Sequence, residues 1–483
     1  MRDDVPLELD TYRKTTPAFE WSKKIANAES LEEYMRKKES DTIHHLAAAA
    51  LRVGSISRLS SNADKRLDAH DMTHRCHEVP AIDQEDTGTC WLQAGTALLA
   101  TMAHRSGLTL RLSVPFLAFF DKLNKALVFL RRLQTAKKEM KEMKEKKMKE
   151  KKMKEETDEI DHAWWDNQHV LRSHFAAPID DGGTWNMFVY LVMTYGVVPH
   201  DSMPPTHQTS HTNHLNMLLN DLLRGQLLKE DTEGEVMDQV LCALKRTFAT
   251  PPCAVVLTKA VHGVDGTYSP KGLLELVIKG GSFLPWVFRT LHRPVSLDGF
   301  CVLTNAPDRD NGGYIGPTTN NPGNMEQDVF YAVDENHLIK SCVKALKDGI
   351  PVWFSCDVKL NFSTERGIAA KDLTVKNTEA LLGVTLDDDK RNRMLCRNTA
   401  PVHAMLFTAV KLVDGKPVRW RIKNSWGTDF EGDGYLTVDH DWFSDNVFQV
   451  AVPETPPYKE SKEKFLRLEP WDIFGTVAHP RLF

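Results

Sequence analysis

The chain has 483 residues, of which 41% are hydrophobic and 26% are charged, and it contains eight cysteines. This composition excludes a collagen, a wholly disordered chain and a small domain held together by disulfides. The formal charge of −5 gives no overall positive field for attracting nucleic acid or anionic lipid, although a local basic patch stays open as an alternative. The length predicts about three domains, or one large enzyme with substantial insertions.

The sequence lacks the usual signals for export and membrane spanning. Its first ten residues carry acidic side chains where a secretory signal needs a basic start and an apolar run, and no stretch of about 18 apolar residues occurs. The cysteines are scattered and form no CxxC pair, which is typical of reduced thiols rather than of a disulfide framework. These features predict a cytoplasmic protein.

Apolar spacing and turn residues predict an α+β protein with six segments. Residues 30–53 have the pattern of a helix, with Ser30 as its cap. After Pro251 short β-like runs appear between turns, and alternation is clearest in the last third. The predicted segments are an N-terminal helical segment (1–79), a helical half (80–135), a low-complexity segment (136–160), the remainder of the helical half with a mainly helical insertion (161–350), a β-rich half (351–456) and a C-terminal tail (457–483).

The low-complexity segment consists almost only of Lys, Glu and Met, and KKMKE occurs twice in tandem, at 146–150 and 151–155. This composition suits either a helix supported by charge pairs or a solvated insertion that buries too little apolar area to order itself. We favour an insertion between two helices. Nucleic-acid binding by this segment is a weaker alternative, because its acidic side chains nearly balance its lysines.

Further elements are predicted between residues 161 and 356. The run from Ile179 combines a glycine turn with helical apolar spacing and ends at Gly196 as a helix stop should. Residues 214–250 and about 335–348 have the same spacing. The runs CAVVL, FCVLT and VWFSC predict short strands.

A candidate nucleophile occurs where a turn meets a helix. Turn-forming residues 86–89 precede an apolar run of helical spacing that Gly107 would end, so Cys90 falls at the helix N-terminus. The partial positive charge of the unpaired N–H groups there favours thiolate over thiol, which a nucleophilic cysteine needs at neutral pH. By itself, a cysteine in this position is more often a small buried hydrophobe.

A candidate base and its partner occur on a predicted β-hairpin. Alternating apolar residues from His403 lead to Asp414-Gly415, a strong signal for a two-residue turn, and a return strand follows. If the residues flanking this turn pair, the register places His403 opposite Trp426 and puts Asn424 on the same sheet face. An imidazole and an amide would then lie side by side, with the indole shielding their hydrogen bond from water.

Gln84 lies six residues before Cys90 and supplies a further element. Its side-chain N–H, together with the backbone N–H of Cys90, can donate to the oxyanion that forms when a carbonyl is attacked. When taken alone, each of these residues can be explained by an ordinary structural role. Their joint occurrence favours acyl transfer by a thiol nucleophile.

These motifs resemble the papain superfamily of cysteine peptidases, through QxxxGxCW, a histidine in an apolar strand and NSWG after it. By this resemblance the nucleophile, base, orienting amide and oxyanion donor would be Cys90, His403, Asn424 and Gln84. Within the superfamily the chain is most similar to the bleomycin hydrolase family of cysteine aminopeptidases, judged from HAMLFTAV, WRIKNSWG, DWFSDNVFQVAV and PVWFSCDV. The resemblance covers about residues 80 to 478.

The resemblance implies a papain-like fold, in which a helical half meets a β-sheet half, with large and mainly helical insertions. Cys90 and His403 are 313 residues apart, whereas papain-like enzymes usually place the pair about 130–150 apart. The family removes N-terminal residues from peptides without a metal or cofactor and assembles into homohexamers. Gly182 and Gly183 would lie beside the substrate backbone, with Trp426 beside the site; a helix-entry turn explains the glycine pair equally well.

The sequence also departs from the family pattern. Asp83, Thr89 and Gln93 replace the family's usual Asn, Arg and Phe near the nucleophile. The family's tail presents its carboxylate in the active-site cleft, and here residues His479–Phe483 extend it. These departures keep a second hypothesis open, namely a catalytically impaired scaffold that uses the modified pocket only for binding.

Two histidine clusters have the spacing of metal ligands, one formed by His207, His211 and His214 and one at residues 74–77. Neither is accompanied by paired cysteines, so we favour solvated loop histidines over a zinc site. The triplet Asp439-His440-Asp441 invites a catalytic interpretation, but a turn or helix cap explains it better.

Overall fold

The computed structural model describes residues 42–105, 107–149, 175–229, 231–279, 299–316, 328–363, 365–387, 389–428, 433–458, 464–468 and Phe474. The predicted cap at Ser30, the second KKMKE repeat and the tail extension His479–Phe483 lie outside these residues. The chain divides into two compact units, Met1–Asp64 with Asp372–Leu386, and Lys65–Lys371 with Asp387–Phe483. The predicted boundary at residue 79 therefore falls inside the larger unit.

The smaller unit is helical in its described part. Its helices are Thr42–Val53, Ile56–Leu59 and Val375–Leu382, and the last of these packs against the other two. The first helix contains the run AAAA, and Ala has the most favourable intrinsic helix propensity of any residue. Local propensity and tertiary packing therefore agree in this unit.

The described helices of the larger unit are Cys90–His104, Val114–Lys149, Trp185–Tyr195, His207–Ser210, Asn213–Gly225, Glu233–Phe248, Lys259–His262, Pro270–Lys279, Glu335–Lys347, Lys390–Leu395 and His440–Asn446, with 3₁₀ turns at His200–Ser202 and Gln226–Leu228. The predicted stop at Gly196 is confirmed, with a φ of 82° that favours glycine. The single helical stretch predicted over 214–250 is two helices, because Thr232 caps a new helix through a capping box with Glu235.

One helix, Val114–Lys149, runs through the predicted boundary at residue 135. Its first half buries apolar side chains in the core, whereas its second half carries exposed charges such as the Lys138–Glu142 pair at 3.9 Å. The helical alternative for the low-complexity segment is therefore the one observed as far as Lys149. Although this helix has 36 residues, neither it nor another described helix is apolar enough to span a membrane.

The described strands are β1 (His74–Arg75), β2 (Val255–Leu257), β3 (Gly266–Tyr268), β4 (Gly299–Thr304), β5 (Gly312–Ile315), β6 (Val329–Ala332), β7 (Val352–Cys356), β8 (Phe362–Ser363), β9 (Ile368–Ala369), β10 (His403–Val413), β11 (Lys416–Lys423), β12 (Tyr435–Asp439), β13 (Val447–Glu454) and β14 (Leu466–Arg467). Strands β2 and β3 pair with each other. The others form one sheet in the order β14-β5-β6-β4-β13-β7-β10-β11-β12-β9-β8, with β1 pairing with β10.

Strands β4 to β6 belong to this sheet, although the sequence prediction placed them in a mainly helical segment. Every residue of β6 is buried. A short strand that is buried on both faces is a continuous apolar run without alternation, and periodicity cannot distinguish it from a buried helix. The strand predicted from FCVLT is therefore confirmed as β4, whereas the sequence analysis did not predict β5 and β6.

The predicted hairpin is formed by β10 and β11. Its turn residues Asp414 and Gly415 have φ values of 51° and 78°, as a tight turn between twisted strands requires. The pairing of Leu406 with Lys423 is the one that the predicted register demands, because two register shifts nearer the turn cancel each other. The hairpin therefore carries His403 and Asn424 to the same end of the sheet.

The helix Cys90–His104 packs against β10 and β7. Trp91 and Leu92 in its first turn are almost fully buried, and each such side chain contributes about 1.5–3 kcal/mol by leaving water. The indole Nε1 of Trp353 on β7 donates to the Trp91 carbonyl at 3.2 Å. These contacts fix the helix N-terminus beside the first residues of β10.

Candidate active site

Cys90 and His403 lie on neighbouring elements at one end of the sheet. The backbone N–H of Ala404, which follows His403, donates to the Cys90 sulfur at 3.4 Å. Both side chains line one cavity of about 830 Å³, and Gln84 lines the same cavity. The packing of the helix Cys90–His104 against β10 thus brings together two residues that are 313 positions apart in the sequence.

His403 is held by two neighbours. Its Nε2 lies 2.8 Å from Oδ1 of Asn424, and the Trp426 ring stacks on the imidazole with centroids 4.6 Å apart. Since the asparagine oxygen accepts the Nε2 proton, Nδ1 is the ring nitrogen that can take a proton from a nucleophile. The predicted grouping of imidazole, amide and shielding indole is confirmed.

Gln84 is hydrogen-bonded to Ser425, the residue that follows Asn424. The Gln84 backbone N–H donates to the Ser425 carbonyl at 2.8 Å, and the Ser425 hydroxyl donates to Gln84 Oε1 at 2.6 Å. Gln84 Nε2 donates to the Thr87 carbonyl at 2.5 Å. A primary amide has a second N–H, and this one can serve an oxyanion. The sequence prediction did not include Ser425, whose contact with Gln84 is long-range.

Burial opposes a separate charge on either reacting group. It raises the pKa of the Cys90 thiol to about 11, although backbone N–H groups of Ala404, Trp91 and Cys90 act in the opposite direction. It also lowers the pKa of His403 to about 4, against the opposing effect of the hydrogen bond that the imidazole donates to Asn424. The N–H groups of the helix N-terminus, which the sequence prediction expected to favour the thiolate, are outweighed by burial. When the two groups charge as a pair, each ion offsets the desolvation of the other.

Gly182 and Gly183 both line the cavity that contains Cys90 and His403. A Cβ atom at Gly183 would lie 2.2 Å from Cε2 of the Trp91 ring. Because the backbone packs so closely against Trp91, only glycine fits at position 183. Both glycines are half-buried in the cavity wall.

A buried ion pair supports the backbone that carries these glycines. Lys122 Nζ lies 2.6 Å from Oδ1 of Asp181 and donates to the Asn216 side chain at 2.6 Å. Burial opposes ionisation of Asp181, but Lys122 and hydrogen bonds from Thr212 and Asn216 outweigh it and lower its pKa well below the usual range. The Asp181 carbonyl accepts from the Trp91 indole at 2.7 Å. This network therefore joins the glycine segment, which is the backbone at Gly182 and Gly183, to the helix Cys90–His104.

Lys125 adds a second buried contact to the same segment. Its Nζ donates to the Gly182 carbonyl at 2.6 Å and pairs with Asp121 at 2.7 Å and Asp180 at 2.8 Å. The sequence prediction missed both lysines. Their signal is the pair of charges at positions 122 and 125 inside an otherwise apolar helical run, where lysine is buried only when it is paired.

The three departures from the family pattern do not line the main cavity. Asp83, Thr89 and Gln93 line a separate cavity of about 90 Å³, to which Gln84 also contributes. Thr89 is the N-terminal cap residue of the nucleophile helix, and its hydroxyl lies 2.7 Å from that of Thr87. The altered residues thus line the smaller cavity together with Gln84, and none of them lines the cavity that Cys90 and His403 share.

The remaining candidates have structural contacts. His207 and His211 stack with ring centroids 4.5 Å apart, and His77 stacks on His104 at 3.4 Å. In the part of the chain that is described, no group of three or more His, Cys, Asp or Glu side chains is arranged to hold a metal ion. Asp439 accepts from the Trp442 backbone N–H at 2.8 Å, which confirms the predicted helix cap.

Comparisons with known proteins agree with this geometry. The model of the Peptidase C1-like family matches residues 25–159 and 165–475. Aminopeptidase C from Listeria monocytogenes is 27% identical over 475 residues, covering 93% of this chain and 98% of that protein, and bleomycin hydrolase from Gallus gallus is 28% identical over 427 residues, covering 83% and 88%. The crystal structure of PepW from Lactobacillus rhamnosis superposes with a TM-score of 0.76 at 22% identity, covering 94% of this chain and 99% of that one, and supports a papain-like fold. The chain belongs to the Peptidase C1-like family.

Proposed function

We propose that this protein is a cysteine-type aminopeptidase. Cys90 is the nucleophile and His403 the general base, Asn424 orients the imidazole, and Gln84 donates to the oxyanion together with the Cys90 backbone N–H. The observation that carries the proposal is the convergence of Cys90, His403 and Gln84 on one cavity. Gly182, Gly183 and Trp426 form the peptide-facing surroundings of these groups.

The proposed reaction is acyl transfer to and from sulfur. His403 takes the Cys90 proton as the sulfur attacks the first peptide carbonyl, so the thiolate and imidazolium form together. The carbonyl oxygen becomes an oxyanion that accepts hydrogen bonds from the donors at Gln84 and Cys90. His403 then protonates the leaving amine, and the C–N bond breaks to give a thioester. Water, deprotonated by the same imidazole, hydrolyses the thioester and regenerates the thiol.

The exopeptidase character rests on relatives that are named aminopeptidase C, aminopeptidase G and bleomycin hydrolase. It predicts that a peptide with a free α-amine is cleaved, whereas the same peptide with an acetylated amine resists. We expect at least about a 100-fold difference in kcat/KM, because a buried recognition group left without its charged partner costs roughly 3 kcal/mol. Product release from the paired peptides is measured by mass spectrometry.

The same two peptides are also given to a trimmed protein that ends at Ala478 and lacks His479–Phe483, because the family's tail lies in the cleft. If the intact chain released product from the acetylated peptide, the protein would be an endopeptidase and not an aminopeptidase. Turnover of neither peptide would favour the second hypothesis, a scaffold with an impaired site. The placement of Asp83, Thr89 and Gln93 away from the main cavity argues against that hypothesis.

We also propose a cytoplasmic homohexamer with large, mainly helical insertions in the papain-like fold. All eight cysteines are free thiols, as is typical of a reducing compartment. The hexamer is inferred from the bleomycin hydrolase family. Light scattering coupled to gel filtration would then give about six times the chain mass of 54.7 kDa.

A further inference from the structure

One carboxylate in the active-site cavity has no role in the proposed reaction. Asp328 immediately precedes β6 and lines the same cavity as Cys90 and His403. Its backbone carbonyl accepts from the Gly316 N–H at 2.7 Å, which extends the pairing of β5 with β6. The side chain therefore projects from a rigid part of the sheet.

The two oxygens of Asp328 differ in their surroundings. Oδ2 accepts from the Thr184 hydroxyl at 2.9 Å. That hydroxyl oxygen itself accepts from the Met187 backbone N–H at 3.3 Å, so its proton is directed at the carboxylate. Oδ1 is buried and has no hydrogen-bond partner. A buried acceptor without a partner costs roughly 1–3 kcal/mol, and more when it is charged, and the uncharged amide of Asn186, which also acts on this carboxylate, does not balance its charge.

The other charges of the cavity wall are already paired. Asp180 and Asp181 contact Lys125 and Lys122, and Arg224 donates to backbone carbonyls at residues 175 and 176. Within the described residues, no cation lies within salt-bridge distance of Asp328. Burial accordingly raises the pKa of Asp328 to about 6, against the opposing effects of the Thr184 and Asn186 side chains.

Asp328 also lies on the correct wall for a substrate contact. Thr184 directly follows Gly183, whose backbone rests against Trp91, the residue after the nucleophile. A peptide extended along the glycine segment would pass from Cys90 towards Thr184 and its hydrogen-bond partner. The cationic groups of a peptide are its α-ammonium and the side chains of lysine and arginine.

We propose that Asp328 is a specificity-determining residue whose carboxylate binds a positively charged nitrogen of the peptide substrate. This inference rests on the proposed aminopeptidase function and names the chemical class that its site selects. The nitrogen is either the α-ammonium of the first residue or a basic side chain, and both supply the charged donor that Oδ1 lacks.

The test compares the wild type with Asp328→Asn on aminoacyl coumarylamides of methionine, arginine and citrulline. Citrulline has the shape of arginine without its charge. If Asp328 binds the α-ammonium, kcat/KM falls about 10- to 100-fold for all three substrates. If it binds a basic side chain, only the arginine substrate loses this factor and becomes equal to citrulline. In either case KM carries most of the change, because the contact is made in the ground state as well.

Three controls distinguish loss of the proposed contact from a general effect of charge, a defect at Cys90 and misfolding. Asp238→Asn removes an exposed carboxylate with the same change of charge and should match the wild type. Iodoacetamide labelling of Cys90 should be unaltered in Asp328→Asn, and a fall in labelling would overturn the inference by locating the defect at the nucleophile. Asp328→Ser, which removes the same charge with a smaller side chain, repeats the test if the asparagine variant does not fold. Unchanged kinetics for all substrates would refute the inference, whereas an inactive wild type would refute the proposed function.

Discussion

Cys90→Ser is expected to reduce kcat/KM for an aminoacyl coumarylamide by about 1,000-fold or more. A serine hydroxyl is far less acidic than a thiol, and the buried imidazole, whose pKa is already lowered to about 4, is too weak a base to activate it. His403→Ala should cost a similar factor. Because the two residues act as a unit, the double variant should be no slower than the single ones. Initial rates under pseudo-first-order conditions measure all three.

The fold should survive the serine substitution, since it exchanges one atom at a half-buried position. Cys242→Ser, at an exposed thiol on another helix, is the matched control and should retain full activity. Equal thermal midpoints for the two serine variants would show that the lost activity is chemical. If Cys90→Ser kept more than a tenth of the wild-type rate, another nucleophile would have to be found.

Lys122→Met should destabilise the protein by about 3–5 kcal/mol, because it leaves the carboxylate of Asp181 buried without its cation. Both side chains are almost fully buried, at 2% and 8% exposure, so solvent screening does little to soften the loss. The glycine segment should also shift, with a fall in activity. The measurement is the free energy of unfolding in urea at neutral pH.

Lys138→Met on the same helix is the control. Its pair with Glu142 is exposed at 79% and 66%, and such pairs contribute less than about 1 kcal/mol. Adding Asp181→Asn to Lys122→Met should recover part of the loss, since no unpaired charge then remains. A cost for Lys122→Met no greater than that of the control would show that the buried pair does not support the cavity wall.

The hairpin that carries the base was predictable from local sequence. The Asp414-Gly415 turn determines the register, and alternation identifies the buried face, so the neighbours of His403 follow from counting residues. The two register shifts between turn and site were not predictable, because they depend on how neighbouring strands twist. They cancel, and the counted register therefore still holds at the site.

Other parts of the site depend on contacts that local sequence does not encode. The hydrogen bonds between Gln84 and Ser425 join segments 341 residues apart, and no periodicity reports such a pairing. The position of Lys122 in an apolar helical run indicates that it is paired, but its partner Asp181 lies 59 residues away and cannot be identified from local sequence. Burial outweighs the N-terminal N–H groups in raising the pKa of Cys90, and the extent of burial emerges only when helix, sheet and glycine segment pack together.

We infer that Cys90 and His403 ionise as one pair, and the pH dependence of Cys90 alkylation tests this coupling without a substrate. Iodoacetamide labelling is followed by peptide mass mapping from about pH 5 to about pH 11, in the wild type and in His403→Ala. Fast labelling of the wild type is expected at neutral pH, whereas the variant should be labelled only as the pH approaches the raised pKa of the isolated thiol, about 11. Coincident profiles for the two proteins would show that the two groups ionise independently.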